Sequence, residues 1–163
     1  MGLAEVSGIL WKERELLELL LFKLEEEQLV LASGRTRWLA HATREVEFVM
    51  EQIRTTELLR ATEVDAVAAE LDLEPGPSLN AVAGAAPEPW GEIFRGHRDA
   101  FLTLTAEIQD LADANRDLLN AGSRALRETL LGLDKPLDTY TARGKNTAAS
   151  AGGSRAHFVD EAL

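Results

Sequence analysis

The sequence predicts an all-α protein, an elongated antiparallel helical hairpin followed by a long third helix. Together they form a three-helix, coiled-coil-like bundle with a flexible C-terminal tail. Two observations predict it. Apolar residues recur at three- and four-residue spacing through three long blocks, which is the period of one helix face. The prolines fall only at Pro75, Pro77, Pro87, Pro89 and Pro136, so those blocks run uninterrupted.

The first block, Leu3 to Ala32, places Leu3, Val6, Leu10, Leu17, Leu20, Leu24 and Leu31 on one side with Glu and Lys opposite. Ser33-Gly34 ends it, because glycine accepts the left-handed conformation that closes a helix. The second block, Thr36 to Leu73, carries Trp38, Leu39, Ala42, Val46, Val49, Ile53, Leu58, Val64, Val67 and Leu71, with Thr36 as the expected N-cap. A turn this short makes the two blocks an antiparallel hairpin. Residues 74–89 are rich in Pro, Gly and Ala, with prolines bracketing both ends, and are expected to form a loop or flexible linker without regular helix.

The third block, Trp90 to about Leu133, carries Phe94, Phe101, Leu104, Ile108, Leu111, Leu118, Ala125 and Leu126. At about 1.5 Å per residue it spans roughly 65 Å, against roughly 45 Å for the first. An ideal helix drifts off a seven-residue seam, so the stretch with Leu118, Leu119, Leu126, Leu130, Leu131 and Leu133 need not stay under the hairpin. That stripe is either core, or a homodimer contact, or surface held open for another chain. Asn115 falls on the seam and is read as a tolerated, partly exposed residue; buried, it would fix register or partner. Residues 1–133 thus form a single helical domain and 134–163 a tail. Its Asn146 to Ser154 stretch lacks the apolar content to fold. The terminal Ala-His-Phe-Val-Asp-Glu-Ala-Leu is either disordered or two helical turns for a partner.

Formal net charge is -11, divided as -4 for residues 1–33, -3 for 34–73, -2 for 74–89, -2 for 90–133 and zero for the tail. No segment is a basic block, which argues against nucleic acid and anionic membrane as partners, since both demand clustered Lys and Arg. The absence of cysteine rules out disulfides and thiolate zinc sites and suits a reducing cytoplasm. The N-terminus lacks a signal peptide's basic start and apolar run. Leu16 to Phe22 is interrupted by Glu18, and nothing approaches the roughly 20 apolar residues of a membrane span.

Chemistry is sparse. His41, His97 and His157 have no metal-ligand spacing, and no phosphate loop or serine with a convincing base is present. No cofactor and no enzyme activity are expected. His41 is read as an ordinary surface histidine and Glu25-Glu26-Glu27 as a solvated face, because consecutive helical residues point apart. Trp11, Trp38 and Trp90 each stand near a helix end or turn, where a large ring can seal the edge of a bundle.

The pattern resembles the FlgN-type flagellar export chaperones. The matching features are the Leu- and Glu-rich stretch Glu15 to Glu27, the helix holding Glu45 to Arg60, the Ala114-Asn115-Arg116-Asp117-Leu118-Leu119 run, and Tyr140-Thr-Ala-Arg-Gly144. The similarity covers about residues 5 to 145. It implies a cytoplasmic bacterial type III secretion chaperone that binds the C-terminal helices of the hook-filament junction proteins FlgK and FlgL, prevents early assembly, and delivers them to the export gate protein FlhA. It further implies a monomer or weak homodimer, cargo contact through Leu118, Leu119, Leu126, Leu130 and Leu133, and gate docking through Tyr140 and Arg143. The 74–89 loop and the tail beyond Lys145 depart from the family pattern. A structural coiled-coil scaffold or homodimeric interaction protein without cargo would use the same heptads.

Overall fold

The computed structural model describes residues 2–134. They form helix α1 (Gly2–Ser33), a 3₁₀ turn (Thr36–Trp38), α2 (Leu39–Glu70), a short α3 (Leu79–Ala85) and α4 (Trp90–Asp134), with no strand among them. No helix among the described residues is long and apolar enough to cross a membrane.

The hairpin follows from the apolar spacing. On α1 the buried positions Val6, Leu10, Glu13, Leu17, Leu20, Leu24 and Glu27 alternate four and three apart, and α2 repeats the pattern at Ala42, Val46, Val49, Ile53 and Thr56. A mean interval of 3.5 keeps one seam facing a partner helix. Side-chain pairs fix the antiparallel register, with Thr43 donating to Glu27 (3.1 Å), Lys23 to Glu45 (3.0 Å) and Arg60 to Glu13 (3.1 Å). Gly34, at φ +69, closes α1 and donates its N–H to the Leu31 carbonyl. Thr36 does not cap α2. It opens the 3₁₀ turn, and Trp38 occupies the cap position without a side-chain hydrogen bond, because the turn supplies the bridging bonds a cap would otherwise make.

The segment 74–89 is also corrected. Its prolines flank Leu79–Ala85 and do not interrupt it, so the alanine-rich run folds as α3. The Ser78 hydroxyl caps it by accepting from the Ala81 N–H at 3.1 Å, and Leu79, Val82 and Ala83 are buried one turn apart. The preceding loop is tied down by the Gly76 N–H on the Asp65 carboxylate at 2.8 Å. Gly91 is needed where α4 starts, since a Cβ there would meet the Ala83 carbonyl at 2.8 Å. Trp90 packs partly buried over Phe94 as expected of an edge-sealing ring, whereas Trp11 and Trp38 are about half exposed.

Helix α4 packs on α1 and α3 and runs parallel to α1, with Ser7 beside His97 and Leu24 beside Asn115. Asn115 is buried at 3% exposure, not partly exposed. Its Nδ2 donates to the Leu24 carbonyl (2.9 Å) and to the Glu27 carboxylate (3.3 Å). Glu27 also accepts from Thr43, so one carboxylate joins three helices and offsets the cost of burying polar groups. Replacing Asn115 with Asp removes the donor and sets a second carboxylate against Glu27. The variant should lose about 3 kcal/mol or more of stability in denaturant titration.

Two further buried groups titrate abnormally. Burial pushes the Glu13 carboxyl up to about 7, against the pull of Arg60, and burial, aided by the Arg14 charge, pushes the His97 imidazole down to about 4. The folded chain therefore holds a proton on Glu13 that the unfolded chain releases, and its contribution is lost as pH rises from 4.5 through about 7. His97 acts oppositely, because the unfolded chain takes up a proton below 6.5 that the folded chain refuses until about 4. The stability of the wild type relative to Glu13→Gln should fall with rising pH across the first window. Relative to His97→Gln it should rise across the second, each with a limiting slope of about 1.4 kcal/mol per pH unit. Parallel pH profiles for all three proteins would contradict the assignment.

Candidate partner-binding face

At about 100° per residue in an ideal helix, Phe94, His97, Phe101, Ile108, Asn115, Leu119, Leu126, Leu130 and Leu133 fall in one sector about 60° wide. The first five are buried beneath α1 and α3. Beyond Asn115 every residue from Arg116 to Leu133 is exposed. The five leucines expected to hold a partner follow suit, with Leu118 39%, Leu119 47%, Leu126 61%, Leu130 53% and Leu133 67% exposed. A single stripe is therefore core along its first half and uncovered along its second.

The expected drift off the seven-residue seam takes a definite form. Strict seam positions after Leu118 are Gly122, Ala125, Thr129 and Gly132, whereas the leucines keep to the 3.6-residue line of a straight helix. Leu118 lies about 90° off the center of that line, and Leu131, also exposed at 65%, lies about 130° off it on the other side. Arg116 and Arg127 border one edge of the stripe; Gly122 and Thr129 border the other. Length explains the exposure of Leu126, Leu130 and Leu133, whereas Leu118 and Leu119 still stand level with α1 and are exposed all the same. Nine residues of α1 follow Leu24, but nineteen of α4 follow Asn115, so the last ten project about 15 Å past the end of the hairpin.

Other expected positions are dispersed. His41 is exposed and touches the Trp38 ring at 5.6 Å between centroids. Glu25 is exposed, Glu26 bonds Lys23 and Glu27 is buried in the Asn115 cluster, so the three acids share no site. Tyr140 and Arg143, and the tail with the last eight residues, lie outside the described residues.

Sequence reasoning missed the Ser7–His97 contact at 3.4 Å, which joins residues ninety positions apart that carry no local motif. It lacks the third group of a catalytic triad, since His97 Nδ1 has no hydrogen-bond partner. With Trp11, Arg14, Pro89 and Ile93, His97 lines a shallow notch near the start of α4. No group of three or more candidate metal ligands occurs among the described residues.

Comparison with curated proteins found no match, and comparison with solved structures found none. A family model described as FlgN protein matches residues 1–148, spanning all four helices and the exposed leucine face. The chain belongs to the FlgN family, chaperones that serve flagellum assembly and protein export.

Proposed function

We propose that the α4 face beyond Asn115 receives the C-terminal amphipathic helices of hook-filament junction proteins of the FlgK and FlgL kind. The chaperone prevents their early assembly in the bacterial cytoplasm and carries them to the export gate protein FlhA. The observation that carries this reading is the stripe that is core as far as Asn115 and uncovered from Leu119 to Leu133. A segment disordered before assembly but apolar along one face needs a temporary cover, and a second helix laid along leucines three, four and seven apart provides one.

The magnitudes suit a releasable complex. Burying the parts of Leu119, Leu126, Leu130 and Leu133 that remain exposed returns about 3 to 7 kcal/mol. Association and helix ordering consume a large part of that gain. Leu118 joins the face as a flanking contact. We assign gate docking to Tyr140 and Arg143, an aromatic and a cation of the types enriched in binding hot spots.

The same leucines would also support a cargo-free homodimer. Sedimentation separates the readings: the chaperone alone should be a monomer or weak dimer and should shift to a one-to-one complex with a peptide from the end of FlgK or FlgL. Leu126→Asp combined with Leu130→Asp should weaken that complex by at least about a hundredfold, with circular-dichroism helicity largely retained. Undiminished affinity in the double variant would remove the face from the site. Tyr140→Ala should leave thermal stability and cargo affinity unchanged while weakening capture of the loaded chaperone by FlhA; unchanged capture would refute the docking role.

A further inference from the structure

The fold gathers charge that the sequence disperses. Residues 28–44, which end α1, form the turn and begin α2, contain Arg35, Arg37 and Arg44 and no acid. Residues 118–133 contain Arg124 and Arg127 against Glu128 alone. The two stretches lie far apart in the chain, but the parallel register of α1 and α4 brings them to the same end of the rod. With Leu24 beside Asn115, Ser33 stands level with about residue 124. With Asp134, the last residue of α4, that end carries +3 in a chain of net charge -11, which leaves -14 for the rest.

These cations are free to meet a partner. Arg35, Arg37, Arg44, Arg124 and Arg127 are all exposed, and the ion pairs found among the described residues involve none of them. Arg37 lies over the half-exposed Trp38 ring at 4.7 Å. The uncovered leucines run alongside, and Arg127 borders their edge.

We infer that this end selects its partner by charge as well as by apolar fit, taking an amphipathic helix whose leucine-type anchors are flanked by carboxylates. The inference rests on the cargo-binding reading of the α4 face and adds the electrostatic character of what docks there. Complementary charge chiefly sets association rate and excludes wrong partners. A cationic flank on the incoming helix would face Arg35, Arg37 and Arg127, and its repulsion would be relieved only by salt.

The test uses the full chain and three synthetic helical peptides with the same leucine stripe, flanked by Glu, Gln or Lys, with polyglutamate as a fourth probe. Binding is read by fluorescence anisotropy at about 50 and about 300 mM salt. The Glu-flanked peptide should bind about tenfold tighter than the Gln-flanked one at low salt, the Lys-flanked one weakest, and the spread should narrow at high salt. In Arg35→Gln/Arg37→Gln/Arg127→Gln the Glu-flanked peptide should drop to the Gln-flanked affinity, with the Gln-flanked affinity unchanged. Equal affinities for all three peptides, each lost in Leu126→Asp/Leu130→Asp, would overturn the charge inference and leave the cargo face standing. No binding by any peptide would overturn the reading of the face itself. Polyglutamate binding as tightly as the Glu-flanked peptide would overturn the combined recognition.

Discussion

The parallel packing of α4 on α1, with Ser7 opposite His97 and Leu24 opposite Asn115, decides how much of the long helix the hairpin can cover. α1 ends at Ser33 because Gly34 takes a left-handed conformation there, whereas α4 continues to Asp134. The apolar stripe of α4 therefore outlasts its partner. Hydrophobic burial drives the first half of the contact, and the same chemistry without a neighboring helix leaves the second half facing solvent. An apolar face of this length on an otherwise acidic chain is the observation on which the proposed partner contact rests.

The polar groups on the seams have a shared consequence. Glu13, Glu27 and Asn115 lie where a coiled coil would take leucine and bond to Arg60, to Thr43 and to one another, and Ser7 meets His97 between α1 and α4. Each lowers the gain from burial, and each makes its contact in one alignment only, His97 Nδ1 and Asn115 Oδ1 remaining without a hydrogen-bond partner. Together they hold α1, α2 and α4 against sliding by a heptad, the hazard of any repeated pattern. The Asn115 cluster stands at the last buried position of α4 and thereby marks where the free face begins. A helix that slipped along its partner would change the number of leucines offered, so register and binding are physically linked.

Membership of the FlgN family gives this geometry its context, because an export chaperone must hold a segment firmly enough to keep it unassembled and loosely enough to surrender it. On the proposed reading, a single uncovered helix face would meet that requirement. It has no enclosing cleft, so a guest there would keep one side in solvent, which would hold its affinity within a releasable range. Charge at the same end can raise the rate of encounter without adding much to the depth of the complex.

The sequence by itself determined that the chain is helical and where the long helices lie. Three- and four-residue spacing, Ser33-Gly34 and the clustered prolines are local signals, and local backbone physics acts on them directly. It also singled out the leucines of the late third block, since apolar density along a helix is visible without coordinates. Thr36, Leu79–Ala85 and Asn115 differ from what the sequence predicts because a cap, a short helix and a buried amide depend on neighbors, which in the case of Asn115 lie some ninety residues away. Only the tertiary structure decided that Leu119, Leu126, Leu130 and Leu133 continue the core stripe uncovered, and that Arg35 and Arg37 stand level with Arg124 and Arg127. The exposure of Leu126, Leu130 and Leu133 and the meeting of the arginines follow from the register and unequal lengths of α1 and α4, and register is fixed by contacts between distant residues that no local pattern encodes.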